Sequence, residues 1–336
     1  MEICAKIINS EKLENFYILH TNSADIKIYC LTDDIIRVRT SFDKKFAEES
    51  YILALTGWAD RLDNLFIGER KRVTPITPAL EDSDSKIIFR TAALRLEIDK
   101  DPLCVRLYNS EGTELYSSLS GSPFTLDSNK RITHYSRMNE DDCFYGFGEK
   151  SGILNKNQTF LRQRATDAMG YNPEKCDTLY KHIPFYIRLT RGNHKALGLF
   201  YHNFYESVFN MGCEKSNYWP RYSYWQSDGG DIDLFFIGGN SIKQIINNYT
   251  LLTGRPALLP KRALGYQGSS MYYPELEKDS DDAVLEFIDT IKAEGFPIDG
   301  FHLSSGYTSV DGKRCVFTWN TTRFKNPREY FSAMNA

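Results

Sequence analysis

No stretch of this chain approaches the ~20 consecutive apolar residues that a membrane-crossing helix needs. Its first residues, MEICAKIINSEKLENF, put no long apolar core behind a basic start, so they do not read as a secretory leader. Seven cysteines are present, but they are scattered, odd in number and never spaced as CxxC. That excludes a recognisable disulfide framework and a recognisable zinc site, and a reducing cytoplasm is the expected compartment. A dense basic face is missing too. With 41 Lys and Arg against 44 Asp and Glu, the net charge is −3, which argues against a general nucleic-acid binder. There is no internal repeat and no low-complexity tract.

Aromatic residues are what the chain has in quantity. Its 21 Tyr and 21 Phe bring the aromatic fraction to 14%, which suits a β-rich core and also sugar-stacking surfaces. DIKIYCLTDDIIRVRTSF (25–42) alternates apolar and polar residues, breaks at Asp33 and Asp34, and resumes, as a hairpin does. The theme returns at Ile87, Phe89, Leu94, Leu96, Ile98, Val105 and Leu107, then on both sides of the Arg191–His194 turn, then in DIDLFFIGG (231–239). Short strands at this spacing predict a β-sandwich.

After Gly239 the texture changes. Ile242, Ile245, Ile246, Tyr249 and Leu252 fall at helical spacing behind a cap at Asn240 or Ser241. YTLLTGRPALLPKRALGYQ (249–267) then ends the helix at Gly254, expected in the left-handed conformation. Pro256 and Pro260 hold a spacer extended, and RALGYQG (262–268) reads as a buried strand. The stretch is either a hinge between domains or an ordinary loop. The length of 336 residues favours two domains. The expected division is a sandwich over 1–245, a helix end and linker over 246–261, and a second domain from 262 to 336. That second domain shows a helix over 281–295, capped by Asp279 or Ser280, and a strand in IDGFHL (298–303). Strand, helix, strand is a βαβ unit. A further helix opens at Asn326 and Pro327, and the sequence stops inside it. Two parallel strands do not make an α/β domain, so the expectation is a truncated product or part of a longer chain.

Five motifs in order carry a resemblance: FYGFGEKSG (144–152), DTLYKHIPFYI (177–187), ALGLFYHN (196–203), the proline-bracketed stretch, and FTWNTTRFKNP (317–327). Together they resemble glycoside hydrolase family 31, from about Asp141 to the end; before that the likeness is one of architecture. The resemblance implies a mainly β fold, a galactose-mutarotase-like sandwich followed by the first βαβ part of a (β/α)8 TIM barrel. It implies a retaining α-glycosidase, in the first place an α-glucosidase, in which one carboxylate attacks the anomeric carbon and a second protonates the leaving oxygen. No cofactor or metal is needed for that chemistry. The substrate would be an oligosaccharide or another α-glycoside, with no nucleic-acid or membrane partner, and homo-oligomerisation of the intact protein is left open. In the family the nucleophile sits in a Trp-x-Asp-Met-like motif. None of Trp58, Trp219, Trp225 and Trp319 begins one, so no catalytic residue is assigned. The competing reading is a non-catalytic carbohydrate-binding or scaffolding module.

Three substrate-binding candidates follow from the same resemblance. Asp167, in RQRATDAMGY (162–171), matches an aspartate on a sandwich loop that touches the sugar; otherwise it caps a turn before Gly170. Tyr273, beyond the first barrel strand, matches an aromatic lining the sugar site; otherwise it packs between strand and helix. Ser304 stands where many relatives carry an aspartate that grips a sugar hydroxyl, and it replaces a charged hydrogen bond by a weaker neutral one. Glu149 in GFGEK is structural in the family. NYWPRYSYWQSDGG (217–230) reads either as a sugar platform or as a hairpin on the edge of the sandwich.

Overall fold

The computed structural model describes residues 1–46, 48–58, 71–192 and 194–335. Asn193, inside the Arg191–His194 turn, and residues 59–70 of the expected sandwich lie outside that set. The chain divides into two compact units, Met1–Arg255 and Pro256–Ala336.

Among the described residues the first unit is built mainly from antiparallel sheets of eight, six and five strands, with a short parallel pair, Leu55–Thr56 and Lys71–Arg72, beside them in sequence. The alternating residues explain the five-stranded sheet. Leu96 is registered with Phe89 on one side and Leu107 on the other, and Ile98 with Ile87 and Val105. All six are buried in one core with Leu19, Phe124, Tyr201 and Trp225. The expected hairpin forms from Asp25–Thr32 and Ile35–Ser41 and runs through the eight-stranded sheet. Its polar residues are not on a solvated face. Arg37 is 1% exposed and Arg39 6%. The six-stranded sheet places strand β1 (Ile132–Arg137) beside β4 (Tyr222–Ser227), then β3 (Ser207–Asn210), with β2 (Phe160–Gln163) at the edge. The aromatic segment around Trp225 is therefore an interior strand of its sheet, since β4 is paired on both sides; the edge-hairpin reading is corrected.

Helix α1 (Ile242–Thr253) starts at Ser241, whose hydroxyl accepts the Gln244 N–H at 3.2 Å. It buries Ile245 and Leu252 against Phe185, Phe200 and Ile237, and Tyr249 stacks on Phe185 with ring centroids 3.9 Å apart. Gly254 ends it with φ 100° and ψ 146°. This is positive φ but not the left-handed helical cap expected, because the chain leaves directly into an extended segment.

In the second unit, β5 (Gln267–Ser270) pairs in parallel with β6 (Gly300–Leu303), and α2 (Ser280–Ala293) connects them. The first strand begins later than its apolar residues suggested. Lys261–Leu264 form a 3-10 turn behind Pro260 instead, and Leu264 is 73% exposed. Asp279 precedes α2 in the left-handed conformation without a side-chain cap, and Ser280 lies inside the helix. Val284, Ile288, Phe324 and Tyr330 form a small core. Helix α3 (Pro327–Met334) is capped by Asn326, which accepts the Glu329 N–H at 3.4 Å.

Candidate functional site

Asp167 lies on the loop that follows β2, and the loop is tied down at several points. The Arg162 N–H donates to Asp177 Oδ2 at 2.8 Å, and the Thr166 N–H to the Leu179 carbonyl at 2.8 Å. Lys150 fastens both arms. Its ammonium donates to the carbonyl of Arg162 and, at 2.6 Å, to that of Asp177. Burial pushes this amine down to about 8, against the pull of the Asp177 carboxylate. At the tip, Tyr180 donates its hydroxyl to Asp167 Oδ1 at 2.8 Å and its backbone N–H to Glu149 Oε2 at 3.0 Å. The bond to Asp167 raises the Tyr180 phenol above its ordinary value. Glu149 thus has a structural task, orienting the residue that orients Asp167. Asp167 itself is exposed, with Oδ2 making no hydrogen bond among the described residues. A carboxylate held this way can accept hydrogen bonds from neighbouring hydroxyls. Sequence reasoning missed Lys150 and Tyr180 as its supports, although both lie inside motifs already singled out.

Tyr273 and Ser304 belong to the second unit. They follow the C-terminal ends of β5 and β6, where Ser270 is registered with Leu303. The turns they enter press together: a Cβ on Gly306 would stand 2.4 Å from Glu275 Cγ and 2.6 Å from the Pro274 carbonyl. Tyr273 is half-buried and packs its ring 5.1 Å from Phe287 and 5.2 Å from Tyr272. Ser304 precedes a 3-10 turn over Ser305–Thr308 and gives it no side-chain cap. The two residues therefore share one strand-end cluster, and Asp167 is on the other unit.

A second polar cluster was not foreseen. Ser50 Oγ lies 2.8 Å from His202 Nε2, and His202 Nδ1 lies 3.0 Å from Asp233 Oδ2. All three line a cavity of about 600 Å³. The connectivity is that of a nucleophile, base and acid. The chemistry is not. Ser50 is 2% exposed, and its Oγ already accepts the N–H groups of Ile52 at 3.3 Å and Leu53 at 3.1 Å, which makes it a turn cap. Asp233 is taken up by Arg37 through two 2.7 Å bonds. Burial would raise its carboxyl, but the Arg37 charge and hydrogen bonds hold it well below the carboxylate range. Glu48 closes the network onto Lys27 at 2.6 Å and Arg37 at 3.0 Å. This is a structural ion-pair network. Among the described residues no cluster of His, Cys, Asp and Glu could hold a metal ion, and burial raises Cys4 and Cys30 to about 12, far from a reactive thiolate.

Residues 25–210 match the glycosyl hydrolase 31 N-terminal galactose mutarotase-like domain, and residues 256–336 match the glycosyl hydrolases family 31 TIM-barrel domain. The chain is 28% identical over 318 residues to α-glucosidase 2 of Bacillus thermoamyloliquefaciens, covering 94% of itself and 36% of that relative. It is 30% identical over 203 residues to an isomaltosyltransferase of Sporosarcina globispora, covering 55% of itself and 17% of that relative. In fold it is similar to a dextranase of Flavobacterium johnsoniae solved with isomaltotriose, with a TM-score of 0.82 at 22% identity, over 100% of this chain and 38% of that one. The chain thus spans little more than a third of the length of these relatives at most.

Proposed function

This chain belongs to glycoside hydrolase family 31, and on that premise we propose that it is the N-terminal portion of a retaining α-glycosidase, in the first place an α-glucosidase that removes terminal α-linked glucose from oligosaccharides. The observation that carries the reading is the pairing of two family 31 domains in order on one chain, the mutarotase-like domain over residues 25–210 and the barrel domain over residues 256–336. Its two strands supply a strand-end cluster, and barrel enzymes place their chemistry at the C-terminal ends of the strands.

In this reading the residues described here bind and orient; they do not attack. Asp167, steadied by Tyr180, accepts hydrogen bonds from sugar hydroxyls. Tyr273 lines the sugar site with the part of its ring that Phe287 leaves uncovered. Ser304 offers one neutral hydroxyl where a carboxylate would bind more strongly, and so shifts the choice of sugar. Nucleophile and acid come from outside these 336 residues, so no glycosyl-enzyme intermediate forms on this chain alone.

The test has two arms. The chain by itself should release no aryl alcohol from aryl α-glucosides; turnover that tracks with the protein through stringent purification would contradict the placement of the catalytic pair. If the reading frame continues past Ala336, the continuation should contain a Trp-x-Asp-Met-like segment. The longer protein should then give the α-anomer as first product, seen by NMR. A continuation with no such segment sinks the enzymatic reading.

A further inference from the structure

Where two sheets of the first unit meet, they set an arginine on either side of one serine. Arg106, on strand Leu103–Asn109, is registered with Ser117, on strand Glu114–Ser117 of the five-stranded sheet. The next residue, Ser118, bridges antiparallel to Ser136 on β1 of the six-stranded sheet. The row therefore runs on from Ser117 to Arg137. Val105 and Leu107, on either side of Arg106, and Met138, beside Arg137, belong to the core, so alternation turns both guanidiniums outward. Neighbouring strands lie ~4.8 Å apart, which puts the two arginine Cα atoms roughly 10 Å from each other, within reach of one common ligand. A cavity of about 230 Å³ opens over this row, with Arg106, Arg137, Ser117, Ser120, Ser122 and Trp219 among its lining residues.

Like charges in one row repel unless something negative lies near them. Arg106 is compensated from its far side, where Asp99 accepts from its guanidinium. Glu97, registered with Arg106, is taken by Arg95 at 2.9 Å and Lys86 at 3.5 Å. Arg137 has no such neighbour. Beyond it the row continues to Tyr222. Its carbonyl accepts from Arg188 at 3.1 Å, whereas its guanidinium makes no ion pair and no hydrogen bond among the described residues. The hydroxyls of Ser120 and Ser122 are likewise unengaged among those residues, and no carboxylate lines the cavity there. Trp219 walls one side, its ring edge-on to Tyr135 at 5.9 Å and to Tyr222 at 5.6 Å. Guanidinium forks match the oxygens of a phosphate, and serine hydroxyls can donate to those that remain. At ~30 Å³ per water the cavity has room for more than a bare phosphate, and the indole offers a ring-sized apolar wall beside the charged row.

We propose that this cavity binds the phosphate monoester of a small sugar. Arg137 and Arg106 hold the phosphate from its two sides, Ser120 and Ser122 donate to its free oxygens, and Trp219 lies against the sugar ring. The site shares no residue with the Asp167 loop or with the strand-end cluster, and the inference does not rest on the glycosidase reading.

Titration calorimetry of the 336-residue chain with glucose 6-phosphate, inorganic phosphate and glucose tests it. Glucose 6-phosphate should bind saturably and more tightly than inorganic phosphate. Inorganic phosphate should displace it, and glucose should not. Arg137→Ala removes a guanidinium that has no partner in the fold, so the melting temperature should hold while affinity for glucose 6-phosphate drops about ten- to hundredfold, the worth of a hydrogen bond to a charged group. Arg137→Lys keeps the charge without the fork and should recover part of that loss. Trp219→Ala should weaken glucose 6-phosphate and leave inorganic phosphate unchanged. Four results overturn the proposal: no saturable heat with either phosphate compound; binding undiminished in Arg137→Ala; displacement by glucose as effective as by phosphate; or glucose 6-phosphate bound no more tightly than inorganic phosphate, which would make the free ion the ligand.

Discussion

The two units of this chain differ most in what they bury. The first hides charge. Arg37, Asp233 and Arg39 are each at most 6% exposed and are held in paired networks, and a neutral His134 bridges two tyrosine hydroxyls at 2.7 and 2.9 Å. The second exposes apolar surface. Leu264, Met271, Tyr272, Phe296 and Phe317 are between 66% and 100% exposed, and among the described residues its parallel sheet has two strands, each with an unpaired edge. Antiparallel sheets can close a core between their own faces, whereas parallel strands are normally covered on both faces by helices. A unit that closes its own core can hold ionic pairs inside it; a unit with a small core cannot.

The largest expected difference is in resistance to protease. Limited digestion followed by mass spectrometry should remove residues 256–336 first and leave a stable fragment ending near Thr253. A chain shortened at Thr253 should be at least as soluble as the whole. If the first stable fragment kept 262–336 and lost strands of the first unit, the contrast would be reversed.

Next in size is the removal of one buried charge. Asp233→Asn leaves the Arg37 guanidinium short of its bidentate partner at 1% exposure, and this should cost about 3–5 kcal/mol in denaturant unfolding. A loss no larger than that of a surface substitution would mean the network contributes little.

Acid should weaken the first unit through His134. Burial pushes this imidazole down to about 3, so the unfolded chain takes the proton first as pH falls. The stability it protects is complete above the ordinary histidine value of ~6.5 and is lost progressively toward about 3, on the order of a few kcal/mol. Urea unfolding at several pH values between 7 and 4, compared with a His134→Gln chain, should show a shallower pH slope in the variant. Equal slopes would show that other groups carry the acid sensitivity.

The smallest effect belongs to the second unit's surface. Lys325 contacts Asp279 at 2.7 Å and Asp282 at 2.8 Å, with all three side chains well exposed. Asp279→Ala should leave the melting temperature within error, because water and salt screen such pairs. A clear drop would make this turn a structural clamp on α2.

The alternating segments were legible because each strand's period of two survives into the core: Leu96 and Ile98 meet the very residues their spacing called for. Helix α1 and α3 caps were legible for a similar local reason, a Ser or Asn ahead of an apolar repeat. The first barrel strand was misplaced by several residues, since apolar content alone does not separate a strand from a 3-10 turn behind proline. Lys150 and Tyr180 could not be recognised as supports of Asp167, because their bonds join positions 13 and 27 residues apart or reach main-chain carbonyls that carry no sequence mark. Ser50 and His202 are 152 residues apart, and only strand order in the eight-stranded sheet makes them neighbours.

By itself the sequence determined the family, the succession of a β unit and a βαβ unit, and the absence of a Trp-x-Asp-Met-like nucleophile motif, because these depend on local period and short motifs. Tertiary structure alone decided which charges are buried and that Ser50, His202 and Asp233 meet beside one cavity. Those properties arise from contacts between distant segments, where burial and pairing set the energy of a side chain and its neighbours in sequence do not.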